Sequence, residues 1–100
     1  MAKRKISIPS KGLSDFCQRY QVQKLAFFGS VLREDFNEDS DVDVLVTFMP
    51  GARVGFLMLG RMKRELEALV GREVDIVPEV GLKPVIRDEI LESSEVVYAA

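Results

Sequence analysis

Two aspartates open the most apolar strand-like stretch of this chain. In "DSDVDVLVTF", Asp41 and Asp43 stand two positions apart, with Val42, Val44, Leu45, Val46 and Phe48 around and after them. Carboxylates are depleted from strands, so a pair in this place either keeps a strand end wet or builds a charged site. Side chains alternate faces along a strand, which puts Asp41, Asp43 and Leu45 on one side and Val42, Val44, Val46 and Phe48 on the other. The all-apolar side calls for a cover of helices. The aspartates are then left on the opposite, exposed face, roughly 6–7 Å apart by strand rise. Two ionised carboxylates held that close repel each other unless a cation or a proton lies between them. Hard oxygen donors of this kind suit Mg²⁺, which takes one or two carboxylates together with phosphate oxygens and water.

Alone, an Asp-x-Asp is a weak signal and is better read as part of an acidic loop, Asp39, Asp41 and Asp43, that solvates a strand end. Two further features point to chemistry. In Glu73-Val74-Asp75-Ile76-Val77 a carboxylate again interrupts apolar residues, with Val74 and Ile76 facing the core and Asp75 facing away; a third acid completes a metal site if the two strands are neighbours. Gly29-Ser30 stands where a strand gives way to a helical turn. Glycine lets a backbone approach a phosphate closely, and free N–H groups at a helix start attract anions. Asp75 by itself is as readily a solvent-facing strand residue, and Gly-Ser by itself is better read as an ordinary turn with Ser30 as an N-cap. The chain has no histidine, which excludes histidine-based acid–base catalysis and His-ligated zinc. The single cysteine, Cys17, lies on the buried stripe of a helix and reads as an inert core thiol. Any catalysis must therefore use carboxylates, hydroxyls, lysine or bound metal.

The elements that would position these residues follow from periodicity. Ser10 can cap a helix whose apolar residues Leu13, Phe16, Cys17 and Tyr20 recur at helical spacing. Lys24–Phe28 reads as a short strand, a helical turn starts at Ser30, and the polar loop Asn37–Ser40 leads into the strand Asp41–Phe48. Pro50-Gly51 breaks the chain. Phe56, Leu59, Met62, Leu66, Leu69 and Val70 make a second amphipathic helix, closed by Gly71. A strand over Glu73–Val77 ends at Pro78. Pro84 suits the first turn of a last helix carrying Val85, Ile86, Ile90 and Leu91, and Glu95–Tyr98 forms a final strand. Alternating strands and helices predict an α/β or α+β domain with one mixed sheet, helices on one face and the site on the other. A sequence of 100 residues is expected to make one domain over 1–100, with no internal repeat or linker.

The net charge of −2 offers no basic excess to hold a nucleic-acid backbone, so no direct nucleic-acid partner is expected; Lys3-Arg4-Lys5 is a local exception that reads as a frayed terminus. No apolar run approaches the roughly 20 residues needed to cross a bilayer. The basic start has no hydrophobic stretch behind it and is not a signal peptide. The expected location is cytoplasmic, without a membrane.

Strand, Gly-Ser, an intervening segment, Asp-x-Asp opening a strand and a third Asp on a later strand resemble the nucleotidyltransferase superfamily related to DNA polymerase β. The stretch "FGSVLREDFNEDSDVDVLV" resembles more narrowly the minimal nucleotidyltransferases (MNT), and "LEALVGREVDIV" and "LKPVIRDEILESSEVVY" extend the likeness over nearly the whole chain. Arg33 falls where many relatives carry arginine, whereas Glu34-Asp35 stand where others often have glycine. The resemblance implies that Asp41 and Asp43 hold two Mg²⁺ ions and that Asp75 ligates one of them and orients or deprotonates the attacking hydroxyl. It implies that Gly29, Ser30 and Arg33 bind the phosphates of ATP. It further implies a polymerase-β-like fold and an antitoxin role: MNT proteins pair with HEPN-type ribonuclease toxins, in several cases transferring AMP to a toxin tyrosine. Two other readings stand beside it, an antitoxin that neutralises its partner by contact alone and a nucleotidyltransferase acting on a small molecule such as an antibiotic.

Overall fold

The computed structural model describes residues 8–29 and 41–100. The helical turn expected at Ser30, the loop Asn37–Ser40 and the basic segment Lys3–Lys5 lie outside these residues, as do Ser30 and Arg33 themselves. The elements run α1 (Ser10–Arg19), β1 (Val22–Phe28), β2 (Val42–Phe48), α2 (Phe56–Val70), β3 (Val74–Pro78), a 3₁₀ turn (Glu79–Gly81), α3 (Pro84–Ser93) and β4 (Glu95–Ala99). The four strands form one sheet in the order β3-β2-β1-β4. β1 pairs antiparallel with both β2 and β4, while β2 and β3 run parallel. A parallel pair needs a crossover, and α2 supplies it. The sheet is therefore mixed, as the alternation of elements predicts.

α1 forms because Leu13, Phe16 and Cys17 fall on one face, and all three are buried. Its start differs from expectation. Pro9 occupies the cap position and its carbonyl accepts the Leu13 N–H at 2.9 Å, so Ser10 is the first helical residue and makes no capping bond. Proline has no side-chain acceptor, so from this position its contribution to the helix start is a pre-set φ and its carbonyl. α2 ends at Gly71, whose φ of 74° is the left-handed conformation of a helix terminator, with its N–H on the Glu67 carbonyl at 2.7 Å.

α1 and α2 meet over one face of the sheet. Phe16, Cys17 and Leu13 from α1 and Met62 and Leu66 from α2 pack on Val22, Leu25 and Phe27 of β1, Val42, Val44 and Val46 of β2, and Val74 of β3. Burying each of the larger side chains contributes on the order of 1.5–3 kcal/mol. The alternation in β2 is thus as predicted for Val42, Val44 and Val46. Leu45 is a correction: expected on the exposed face, it is 1% exposed, and its β1 partner Ala26 is 0% exposed, although neither belongs to the helix-covered core. Alternation fixes which way Leu45 points but not whether that direction is covered, and the site face is closed over its middle.

Phe56 is a second correction. It fits the helical stripe of α2 by spacing, yet it is 94% exposed, as its neighbour Leu57 is 84% exposed. Full burial on α2 starts only at Met62, so in the first turn Phe56 and Leu57 face solvent while Met58 and Leu59 are half-buried against the core. α3 behaves similarly, with Pro84 in its first turn as expected but no buried residue along its length.

Candidate active site

β2 and β3 bring two of the predicted acids together. Asp43 and Asp75 are register partners on these neighbouring parallel strands, so both project from the same face, and adjacent strands lie about 4.8 Å apart. Val74 is buried beneath the helices and Ile76 packs against the same core, while Asp75 is exposed. The local cause is the alternation of an apolar strand, and the tertiary cause is the single α2 crossover that lays β3 beside β2. Asp41 precedes the first residue of β2 and is exposed. Among the described residues no three acidic or thiol side chains come close enough to hold a metal ion by themselves. The structure thus pairs Asp43 with Asp75 and leaves Asp41 at the mouth of the strand.

Gly29 completes this corner. It follows β1, whose last residue Phe28 is the cross-strand partner of Asp43. Its φ of 74° is one that residues with a side chain rarely adopt. A Cβ built there would collide with the Asp43 carboxylate, lying 3.3 Å from Cγ and closer still to Oδ2. Glycine is required here by conformation and by space together, and its backbone lies against a carboxylate. Gly29→Ala is accordingly expected to cost about 1–3 kcal/mol of stability and to displace the Asp43 side chain. Thermal unfolding measures the first effect. An unchanged melting temperature would show that the turn relaxes freely.

Lys63 and Glu67, which the sequence reading did not single out, approach the same corner from α2. Lys63 Nζ donates to the Val74 carbonyl at 2.7 Å and to Glu67 Oε2 at 2.8 Å, and that same Glu67 oxygen accepts the Val74 N–H at 3.0 Å. The hydrogen bond to Glu67 raises the Lys63 pKa, with the charges of Glu67, Asp75 and Glu73 adding to it, and the Glu67 carboxyl is lowered by the Lys63 and Val74 bonds. An i, i+4 pair of opposite charges beside the apolar stripe of α2 is the only sequence signal that could have marked these two residues.

The other reactive group contributes nothing. Burial pushes the Cys17 thiol up to about 12, so it stays protonated and inert. Among the described residues no helix is long and apolar enough to cross a membrane.

Residues 10–97 match the family described as nucleotidyltransferase domain. A protein adenylyltransferase, MntA, of Thermococcus cleftensis is 40% identical over 83 residues, which cover 81% of this chain and 78% of that protein. A solved structure assigned as a minimal nucleotidyltransferase superimposes with a TM-score of 0.70 at 39% identity, covering 85% of each chain. The fold also matches, at a TM-score of 0.65 and 14% identity, a chain from the complex of tri-AMPylated HEPN toxin with MNT antitoxin of Shewanella oneidensis, covering 91% of this chain and 70% of that one.

Proposed function

Since the chain belongs to the nucleotidyltransferase domain family, we propose that it is a protein adenylyltransferase that moves AMP from ATP onto a hydroxyl, most directly a tyrosine, of a HEPN-type toxin, and so acts as its antitoxin. The observation that carries this reading is the in-register pair Asp43 and Asp75 with the Gly29 backbone against Asp43. The protein of T. cleftensis is named a protein adenylyltransferase, and the S. oneidensis complex contains a tri-AMPylated HEPN toxin; both support the assignment.

The donor set suits the metal the reaction needs. Asp43 and Asp75 offer hard oxygens from adjacent strands, and Mg²⁺ requires only one or two carboxylates beside phosphate and water. Asp41, Asp43 and Asp75 would hold two ions, which supply charge to activate an oxygen nucleophile and to stabilise a departing pyrophosphate. Gly29 and Ser30 would present backbone N–H groups to the terminal phosphates of ATP, with Arg33 adding a fixed positive charge. Asp75 would orient the acceptor hydroxyl and take its proton. The acceptor oxygen then forms a bond to the α-phosphorus as the bond from that phosphorus to the bridging oxygen breaks. Pyrophosphate leaves, and the proton passes from Asp75 to water.

Metal dependence tests the assignment of the acids. The phosphates of ATP and the carboxylates of this site carry like charge, so ATP is expected to bind at least about tenfold more tightly with Mg²⁺ than in chelator, a difference of about 1.4 kcal/mol or more. Calorimetric titration of the protein with ATP under both conditions measures this. Equal affinities would remove the acids from the role of metal ligands.

A further inference from the structure

We infer that Lys63 and Glu67 are positioning residues for Asp75, a clamp on the edge of the sheet that holds the third acid opposite the second. This rests on the reading of Asp75 as a metal ligand given above. Among the described residues β3 is an edge strand. Its pairing to β2 includes the bond from the Val42 N–H to the Glu73 carbonyl at 2.9 Å. The peptide groups of Glu73 therefore point inward to β2, and alternation turns both polar groups of Val74 outward, where an edge strand would normally meet only water. Here both are taken by one i, i+4 pair on α2: the carbonyl by Lys63 Nζ and the N–H by Glu67 Oε2, with the two side chains bonded to each other. The clamp grips the residue immediately before Asp75. The Val74 side chain is fully buried in the core, so this residue is held by both its backbone and its side chain, and its neighbour Asp75 is kept in register with Asp43.

The clamp and a bare nearby charge make opposite predictions. Lys63 interacts electrostatically with Asp75. If charge were its whole role, removing it would leave Asp75 more attractive to a cation. If it holds the strand, removing it lets Asp75 drift from Asp43 and weakens the ion. Mn²⁺ binding followed by electron paramagnetic resonance, with a non-hydrolysable ATP analogue present, separates the two and needs no acceptor. Lys63→Met is expected to weaken Mn²⁺ binding about tenfold, the scale seen when residues supporting a metal ligand are lost. Glu67→Leu should do the same. Glu67→Gln, which keeps an oxygen to accept the Val74 N–H, should stay within about threefold of wild type, and this milder variant guards against the others simply failing to fold. Tighter binding in Lys63→Met, or a lowered melting temperature with unchanged Mn²⁺ affinity, overturns the clamp. Asp75→Asn is the reference. If it loses the ion while Lys63→Met keeps it, only the clamp falls. If Asp75→Asn binds Mn²⁺ as wild type does, the assignment of Asp75 falls and this inference with it.

Discussion

Replacing Asp41 and Asp43 together by asparagine is expected to abolish AMP transfer while leaving the fold and the partner complex intact. Asparagine keeps the shape and the hydrogen-bonding capacity of aspartate and removes the two charges that would hold Mg²⁺. Metal stabilisation of the transferring phosphate is worth several kcal/mol, and each 1.36 kcal/mol is tenfold in rate, so the loss should reach about 10³-fold or more. Neither side chain belongs to the buried core. The Gly29 backbone, which meets Asp43, would find a group of the same size. Intact-mass spectrometry of the partner toxin after co-expression is the measurement. Wild type should add one nucleoside monophosphate for each hydroxyl modified, and the double variant should bind the toxin without adding mass. A toxin silenced equally by both and modified by neither would establish neutralisation by contact and sink the enzymatic reading of the antitoxin.

The largest effect on stability is expected at Phe16, and the contrast with Phe56 makes the test sharp. Both are phenylalanines on the apolar stripe of a helix by spacing. Phe16 is 2% exposed within the core and Phe56 is 94% exposed. Phe16→Ala should cost about 3–5 kcal/mol, the transfer term plus the cavity left between α1 and the sheet. A domain of this size holds about 5–15 kcal/mol in total, so the variant should unfold at far lower denaturant. Phe56→Ala removes nothing from the core and should lie within about 0.5 kcal/mol of wild type. Urea titrations of both compare midpoints directly. Similar losses in the two variants would mean that the first turn of α2 is packed in solution.

What the sequence revealed of the fold came from two periodicities. The helical spacing of Leu13, Phe16 and Cys17 and the alternation of Val42, Val44 and Val46 each marked one face of one element, and those faces are buried. The same alternation placed Asp43 and Asp75 away from the core before their strands were known to touch. Their register needed tertiary information: a short parallel crossover through α2 had to lay β3 beside β2, and nothing local to "EVDIV" specifies that neighbour. Phe56 and Leu45 fail for a related reason. A periodic pattern says which way a side chain points, whereas burial depends on what distant segment lies in that direction. The Lys63–Glu67 pair was out of reach because its partners are backbone atoms of β3, and backbone atoms leave no trace in residue type. Ser30 and Arg33, to which the family resemblance gives phosphate binding, lie outside the described residues.

The pairing of β1 also bears on how the chain reaches this structure. β1 lies between β2, which follows it closely, and β4, the last element in the order. Closing β1 on β2 spans a modest loop. Closing β1 on β4, where Phe27 meets Glu95, requires the whole intervening chain to be ordered or looped out. Loop entropy grows only slowly with length, by about 0.6 kcal/mol for each doubling, but the non-local pair still forms late because it gains little until the strands between are in place. Once β2 has paired with it, β1 still has one bare side, and that side stays open until β4 docks. A nascent chain with an unpaired strand edge is the form most prone to wrong association.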